Sequence, residues 1–279
     1  MLSEAKSKQF LSNYGVLFTT EIEVFSADDA VSAADEIGYP VAIKICADAI
    51  SHKSERGMVK LNVRSSTEVR DASTTLLGQL KPEDGQASLL VAKMESGRRE
   101  LIAGVVRDEQ FGSFVMLGMG GVFAEVLNDT SFAPTPLDSQ SALSLIDQLK
   151  SQKVLGEFRG EQPVDRGQLA EVLVSLSRAQ VENELVNSID LNPLIVRPNG
   201  SVVAVDALVE MRSTESTEPI STHKNSSSKS ATRHSSRHYE ALFAPRGVVV
   251  VGASTHPGKF GFVSLHNILV NGYLGRVFA

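Results

Sequence analysis

The residues best suited to do chemistry are Asp190-Leu-Asn192-Pro193 and, fourteen positions beyond Asn192, Asp206-Ala207. Each group falls at the edge of an expected strand, so an amide and a carboxylate are predicted to point at one spot. One Asn and one Asp give hard oxygen ligands without excess charge, which suits Mg2+ held jointly with nucleotide phosphates. A plainer arrangement uses the same residues, with Asn192-Pro193 starting a turn and Asp206 closing a hairpin. Lys44 lies inside the apolar run Val-Ala-Ile-Lys-Ile. A lysine on a buried strand needs an anionic partner or a ligand phosphate, unless it snorkels to solvent from the strand end.

Three further segments carry polar or glycine-rich chemistry. His52-Lys53-Ser54-Glu55-Arg56-Gly57 sits between two expected strands. Such a loop offers backbone N–H groups and cations, Lys53 among them, to a phosphate, and His52 can accept a proton or a phosphoryl group. An ordinary polar hairpin has the same composition. Gly118-Met119-Gly120-Gly121 follows an apolar strand and precedes Glu125 and Asp129, permitting either a close backbone approach or a tight turn. Gly252-Ala253-Ser254, with Pro257-Gly-Lys259-Phe-Gly261 after it, follows a strand and opens a helix. That is the setting of a phosphate or dinucleotide loop, although G-x-G-x-x-G is not present.

The elements that must position these residues read as a mixed α/β pattern. Helices are predicted over Ser3–Tyr14, ended by Gly15, over Ala27–Ile37, ended by Gly38, and over Ser139–Lys150 and Asp165–Val181. Strands are predicted at the run carrying Lys44, at Val59–Val63, at Leu101–Val106 and at Phe114–Leu117. Leu194–Arg197 and Val202–Val205 flank an Asn-Gly turn as a hairpin. From Arg212 to His238 nearly half the residues are Ser or Thr, with hardly an aliphatic side chain. Such a stretch buries too little apolar area to offset the entropy of ordering it, and is expected to be a flexible linker. After it come a strand from Gly247, the glycine-rich turn, a helix over Phe262–Leu269 and the first residues of another strand at Arg276. One βα unit cannot cover both faces of a parallel sheet, so this last block is expected to be the beginning of a domain that the chain does not finish.

Composition removes several function classes. The 279 residues carry 27 Lys and Arg against 33 Asp and Glu, a net charge of −6 that argues against nucleic-acid binding. Aromatic residues are 6% with no Trp, a poor stock for stacking on single strands. Cys46 is the single cysteine, which excludes an internal disulfide. No apolar run reaches the roughly 18 residues of a membrane span, and MLSEAKSKQFLSNYG has no apolar signal core. A cytoplasmic enzyme acting on small molecules is the expectation.

Taken in order, VAIKI, ISHKSERGMVKL, ELIAGVVRDEQFGSFVMLGMGGVFAEVLND, LGEFRG and IDLNPLIV with VDA resemble the NDP-forming acyl-CoA synthetase family, of the ADP-forming acetate–CoA ligase type. The resemblance implies an ATP-grasp domain of two subdomains over residues 1–211, of α+β construction. The linker over residues 212–238 would then lead to the first βα unit of a Rossmann-like CoA-binding domain at residues 239–279, where LFAPRGVVVVGAS is the family's opening. Lys44 would contact nucleotide phosphates, and Val91, Ala92, Lys93, Met94 and Glu95 would form the hinge whose backbone meets adenine. Glu100 would lie on the nucleotide side, and Asn192 and Asp206 would hold Mg2+. His52 would be the mobile-loop phosphohistidine. Gly252, Ala253, Ser254 and Lys259 would face CoA phosphates.

The implied reaction converts a carboxylic acid, CoA and ATP to acyl-CoA, ADP and phosphate through phosphohistidine and acyl phosphate. Its remaining CoA-ligase domains would come from the same polypeptide or a partner chain, and a homo-oligomer fits the same picture. Two alternatives stay open: an ATP-grasp ligase joining a carboxylate to an amine, and a non-catalytic nucleotide- or CoA-binding fragment.

Overall fold

The computed structural model describes residues 1–47, 57–121, 129–212 and 244–279. The chain forms two compact units, Met1–Glu218 and Pro219–Ala279. The larger begins with α1 (Glu4–Ser12), β1 (Glu21–Val24), α2 (Ala27–Ile37), β2 (Val41–Cys46), β3 (Val59–Val63), α3 (Ser66–Gly78) and β4 (Ser88–Lys93). These strands make an antiparallel sheet in the order β1-β4-β2-β3. Ala30, Ala33 and Ala34 of α2 and Val69 and Leu76 of α3 bury against Val41, Ile43, Ile45, Leu89 and Val91, so the two helices cover one face. Period-2 alternation then turns Ala42, Lys44 and Cys46 to the other face, and those residues are buried as well.

Local chemistry sets where these helices begin and end. Ser26 Oγ accepts from the Asp29 N–H to start α2, and Gly38 at φ +86° closes it. Ser65 Oγ accepts from Glu68 N–H, while the Glu68 carboxylate reaches back to the Arg64 N–H. Such caps are worth about 1 kcal/mol each, because they satisfy donors that a helix end leaves open.

The second sheet is built from β5 (Arg99–Asp108), β6 (Gly112–Met119), β7 (Thr130–Pro134), β8 (Val186–Val196), β9 (Val202–Ala204) and β10 (Leu208–Met211). Its order is β10-β8-β5-β6-β7, with β9 also on β8. Between β7 and β8 come α4 (Ser139–Asp147), α5 (Gln152–Leu155) and α6 (Arg166–Val181). Leu101, Ala103, Val105, Val115 and Leu117 of the sheet pack on Leu145, Ile146, Leu169, Leu173 and Leu176 of the helices. Burial of each large side chain contributes about 1.5–3 kcal/mol, so this core is the main source of the unit's stability. The expected hairpin is present: Leu194 pairs with Ala204 and Val196 with Val202. Gly200 in its turn has φ +85°, and a Cβ there would lie 2.1 Å from the Pro163 carbonyl oxygen, so only glycine fits.

β8 contains the feature that matters most for a site. Leu101 is opposite Leu194 and Ala103 is opposite Leu191, so Asn192 and Pro193 together face the single residue Ile102. This is a β-bulge, and it takes a proline without losing the rest of the ladder. It also re-aims the Asn192 side chain, which is exposed between buried Leu191 and Leu194.

The smaller unit contains β11 (Gly247–Val249), α7 (Phe260–Val270) and β12 (Arg276–Phe278). The strands are parallel, with Val248 opposite Val277. α7 has no buried residue, and Val251 and Leu274 are almost fully exposed. The expected helix over Phe262–Leu269 is there, one turn longer overall.

Candidate functional site

Lys44 sits in the middle of β2 with 5% exposure, so it does not snorkel to solvent. Its Nζ donates to Glu4 Oε1 at 2.8 Å and to the Val205 carbonyl at 3.4 Å, and lies 3.5 Å from Asp206 Oδ2. Burial alone would push this ammonium down, but Glu4 and Asp206 more than offset it and hold its pKa above the ordinary lysine value. A strand of the first sheet thus meets the segment linking β9 to β10 of the second at one buried cation.

Asp206 lies in the break between β9 and β10, where Val205 N–H donates to the Pro193 carbonyl at 3.1 Å. That bond brings Asp206 alongside the Asn192-Pro193 bulge. Asp190, two residues before Asn192 on β8, has its carboxyl pushed up by burial and by the negative charge of Asp206. A buried carboxyl whose charge is opposed by a neighbouring carboxylate marks a place where a cation would be favourable. No group of three or more His, Cys, Asp or Glu able to hold a metal occurs among the described residues. An Asn oxygen and an Asp carboxylate still fit Mg2+, which keeps several waters and takes phosphate oxygens as its remaining ligands.

In the segment Val91–Glu95, Val91–Lys93 are the last residues of β4, and Met94 and Glu95 continue toward β5. Lys93 N–H donates to the Thr20 carbonyl at 2.9 Å and Met94 N–H to that of Pro40 at 3.1 Å, so these two donors are held by the chain itself. Glu95 is clamped by Arg197 at the end of β8, Nε to Oε2 at 2.8 Å and Nη2 to Oε1 at 2.7 Å, and by Thr19 Oγ1 at 2.9 Å. The Arg197 hydrogen bonds outweigh burial and hold the Glu95 carboxyl below the usual carboxylate range. Glu100 is the second residue of β5, and its carbonyl accepts from Gly120 N–H at 2.7 Å. A Cβ on Gly121 would lie 2.8 Å from Glu100 Oε2. The glycine cluster therefore serves a close approach, and the group approached is Glu100. Asp129, beyond it, accepts from the Lys150 and Ser151 N–H groups. Burial opposes its charge, but these bonds hold its pKa down, which makes it a tie between segments.

His52 and Lys53 lie outside the described residues, as do Glu125 and residues 213–238 of the expected linker. In the smaller unit, Gly252 has φ +82°, Ser254 Oγ accepts from His256 N–H at 3.1 Å, and Lys259 is the N-cap of α7 with no side-chain bond to the helix. A Cβ on Gly261 would fall 2.0 Å from the Gly252 carbonyl oxygen, so the loop rides directly on the first turn of the helix.

The structure thus brings Lys44 against Asp206 and sets the latter beside the Asn192-Pro193 bulge, runs Val91–Glu95 from the end of β4 toward β5, places Glu100 near the start of β5, and collects Gly252, Ala253, Ser254 and Lys259 in one loop of the smaller unit. Sequence reasoning did not find Glu4, Lys8, Thr19 or Arg197. Glu4 and Lys8 are spaced i,i+4 on a helix, an ordinary surface pattern that carries no sign of burial against Lys44.

The sequence profile of the ATP-grasp domain matches residues 1–211. Acetate–CoA ligase [ADP-forming] II of Archaeoglobus fulgidus is 36% identical over the whole chain, which spans 38% of that relative's length. The β subunit of acetate–CoA ligase [ADP-forming] I of Pyrococcus furiosus is 36% identical over 74% of the chain and 90% of the subunit. The dinucleotide-forming acetyl-coenzyme A synthetase 1 of Ca. Korarchaeum cryptofilum, solved with coenzyme A, Ca-AMPCP and HgCl+, is 41% identical. The match covers 76% of this chain and 93% of that one, with a TM-score of 0.70.

Proposed function

Because the chain belongs to the ATP-grasp family, within the ADP-forming acetate–CoA ligases, we propose that it is the nucleotide-binding and phosphoryl-transfer portion of an ADP-forming acyl-CoA synthetase. The observation that carries this reading is the buried Lys44 ammonium, 3.5 Å from Asp206 and beside the Asn192 bulge. Lys44 and Lys53 neutralise phosphate oxygens, Val91–Glu95 borders the adenine, and Glu100 lies on the nucleotide side. Asn192 and Asp206 hold Mg2+, which supplies charge neutralisation on the transferring phosphoryl group.

In the step assigned to this chain, a ring nitrogen of His52 attacks the γ-phosphorus. An N–P bond forms, the bond from that phosphorus to the β,γ-bridging oxygen breaks, and ADP leaves with the bridging oxygen. The phosphoryl group next passes to a carboxylate oxygen of the acid, giving an acyl phosphate and regenerating the histidine. The CoA thiolate then displaces phosphate to form the thioester. The loop with Gly252, Ala253, Ser254 and Lys259 faces CoA phosphates, the smaller unit being the start of a Rossmann-like CoA-binding domain. A swinging histidine suits a protein whose nucleotide and CoA sites lie apart.

The acyl-transfer chemistry belongs to further domains, in the same polypeptide or a companion subunit. The named β subunit among the relatives supports that division. A cytoplasmic location, where ATP and CoA meet, completes the reading, and association into a homo-oligomer is compatible with it. No helix among the described residues is long and apolar enough to cross a membrane.

The test is calorimetric titration of the full chain with ATP in the presence and absence of Mg2+. Binding is expected for the natural sequence and a loss of tenfold or more for Lys44→Ala. With the companion domains present, His52→Ala is expected to abolish acid-labile phosphoprotein; labelling at the same level in that variant would remove the relay role.

A further inference from the structure

Glu4 is the first residue of α1, and it is 3% exposed. One of its oxygens, Oε1, accepts from two ammonium groups: Lys8 Nζ at 2.7 Å and Lys44 Nζ at 2.8 Å. The two lysines differ in what else holds them. Lys8 has a second anion close by, Glu21 Oε2 of β1 at 2.5 Å. Lys44 has its second anion farther off, Asp206 Oδ2 at 3.5 Å.

The backbone fixes α1 independently of these charges. Leu2 N–H donates to the Val209 carbonyl at 3.0 Å, Ser7 Oγ accepts from Val209 N–H at 3.0 Å, and Leu11 is fully buried in the core of the second sheet. The helix is therefore pinned to β10, and Glu4 reaches from it to a lysine on the other sheet. A chain of buried charges adds little to stability over well-packed apolar residues, because desolvation cancels most of the attraction. Its geometry, however, sets which anion the Lys44 ammonium approaches. Without Glu4, the nearest anion to Lys44 among the described residues is Asp206, the carboxylate assigned above to Mg2+.

We propose that Glu4 is a positioning residue for nucleotide binding: at 2.8 Å it draws the Lys44 ammonium toward itself and keeps the longer 3.5 Å pair with Asp206 from tightening, so that phosphate and metal can compete for the two groups. This rests on the phosphate-site reading of Lys44 given above. It differs from a purely structural role in its prediction, since the Lys44–Asp206 pair that Glu4 weakens concerns only Mg2+ and the polyphosphate.

The experiment measures the Mg2+ concentration giving half-maximal ATP binding by the full chain, with AMP as a reference ligand. Glu4→Gln is expected to raise the Mg2+ requirement about tenfold, the scale of one charge-assisted hydrogen bond. AMP affinity is expected to stay within about twofold. Glu4→Asp keeps the charge on a shorter arm and is expected to raise the requirement about threefold. In the Lys44→Ala background, Glu4→Gln is expected to add less than about twofold, because the two act as one unit. An unchanged Mg2+ requirement in a cooperatively melting Glu4→Gln chain overturns the inference, and so does an equal loss for AMP and ATP. If Glu4→Gln does not melt cooperatively, Glu4→Asp decides, and no rise in its Mg2+ requirement overturns the inference. A natural chain indifferent to Mg2+, or a Lys44→Ala chain that binds ATP normally, overturns the phosphate-site reading and this inference together. Normal behaviour of both controls with a normal Glu4→Gln overturns this inference alone.

Discussion

Replacing Arg99 with Met tests how far one buried cation organises the unit. Arg99 is 1% exposed at the start of β5, and its guanidinium donates to four groups on the segment after α4. These are Glu161 Oε2 at 3.3 Å and the carbonyls of Val154, Gly156 and Gln162 at 3.4, 3.0 and 2.6 Å. Methionine fills much of the same volume, so the cavity term is small and the loss is electrostatic. Stranding a buried Glu161 carboxylate costs about 3–5 kcal/mol, a large share of the 5–15 kcal/mol that a domain usually has. For a unit of this size, with a urea m-value of about 2–3 kcal/mol per molar, the midpoint should fall by about 1–2 M. Far-UV circular dichroism of the full chain in urea measures it. The double variant Arg99→Met with Glu161→Leu should recover about half the loss, because no carboxylate is left unpaired while three carbonyls still lack their donor. A midpoint shift below about 0.3 M, or strict additivity of the two single variants, would refute the reasoning.

Three further outcomes follow from the same geometry. Gly200→Ala should destabilise the unit by about 2 kcal/mol or more in thermal melts, since a Cβ meets the Pro163 carbonyl and the backbone has φ +85°. Leu173→Ala should cost about 2–5 kcal/mol in the same assay, because this leucine is fully buried between α6 and the second sheet. Glu95 has a folded-state pKa below its ordinary value of 4.5, chiefly through Arg197. The stability it contributes is therefore present above about pH 4.5 and lost as the pH falls through its folded value. Arg197→Gln should make that acid-side loss shallower, as read from melting temperatures between about pH 3 and 7.

What could be read in the chain without a structure follows from local physics. Period-2 and period-3.6 patterns set the Lys44 strand, α2, α4, α6 and the hairpin around Asn199-Gly200, because side-chain direction is fixed by backbone geometry alone. β3 shows the limit: Val59–Val63 reads as an alternating strand and is one, yet Leu61 in it is 63% exposed, since β3 is the edge strand of its sheet. α3 went unseen for a related reason, as its face is Val69, Ser73 and Leu76, with Ser and Thr between, too weak a stripe to register.

The chain by itself determined the residue types of the site and their order: a strand lysine, an Asn-Pro step, a following Asp, and glycine clusters after apolar strands. Those are properties of composition and spacing; the family itself came from the resemblance of whole segments taken in order. Tertiary structure alone decided who shares space with whom. The bulge at Asn192-Pro193 exists only because β8 is paired with β5. The Lys44–Asp206 approach and the grip of Glu4 on Lys44 join residues 162 and 40 positions apart, respectively. Electrostatic energy depends on distance and burial, and neither is a function of sequence separation. The same holds for the Arg197 clamp on Glu95, which no motif announces and which only two packed sheets could bring about.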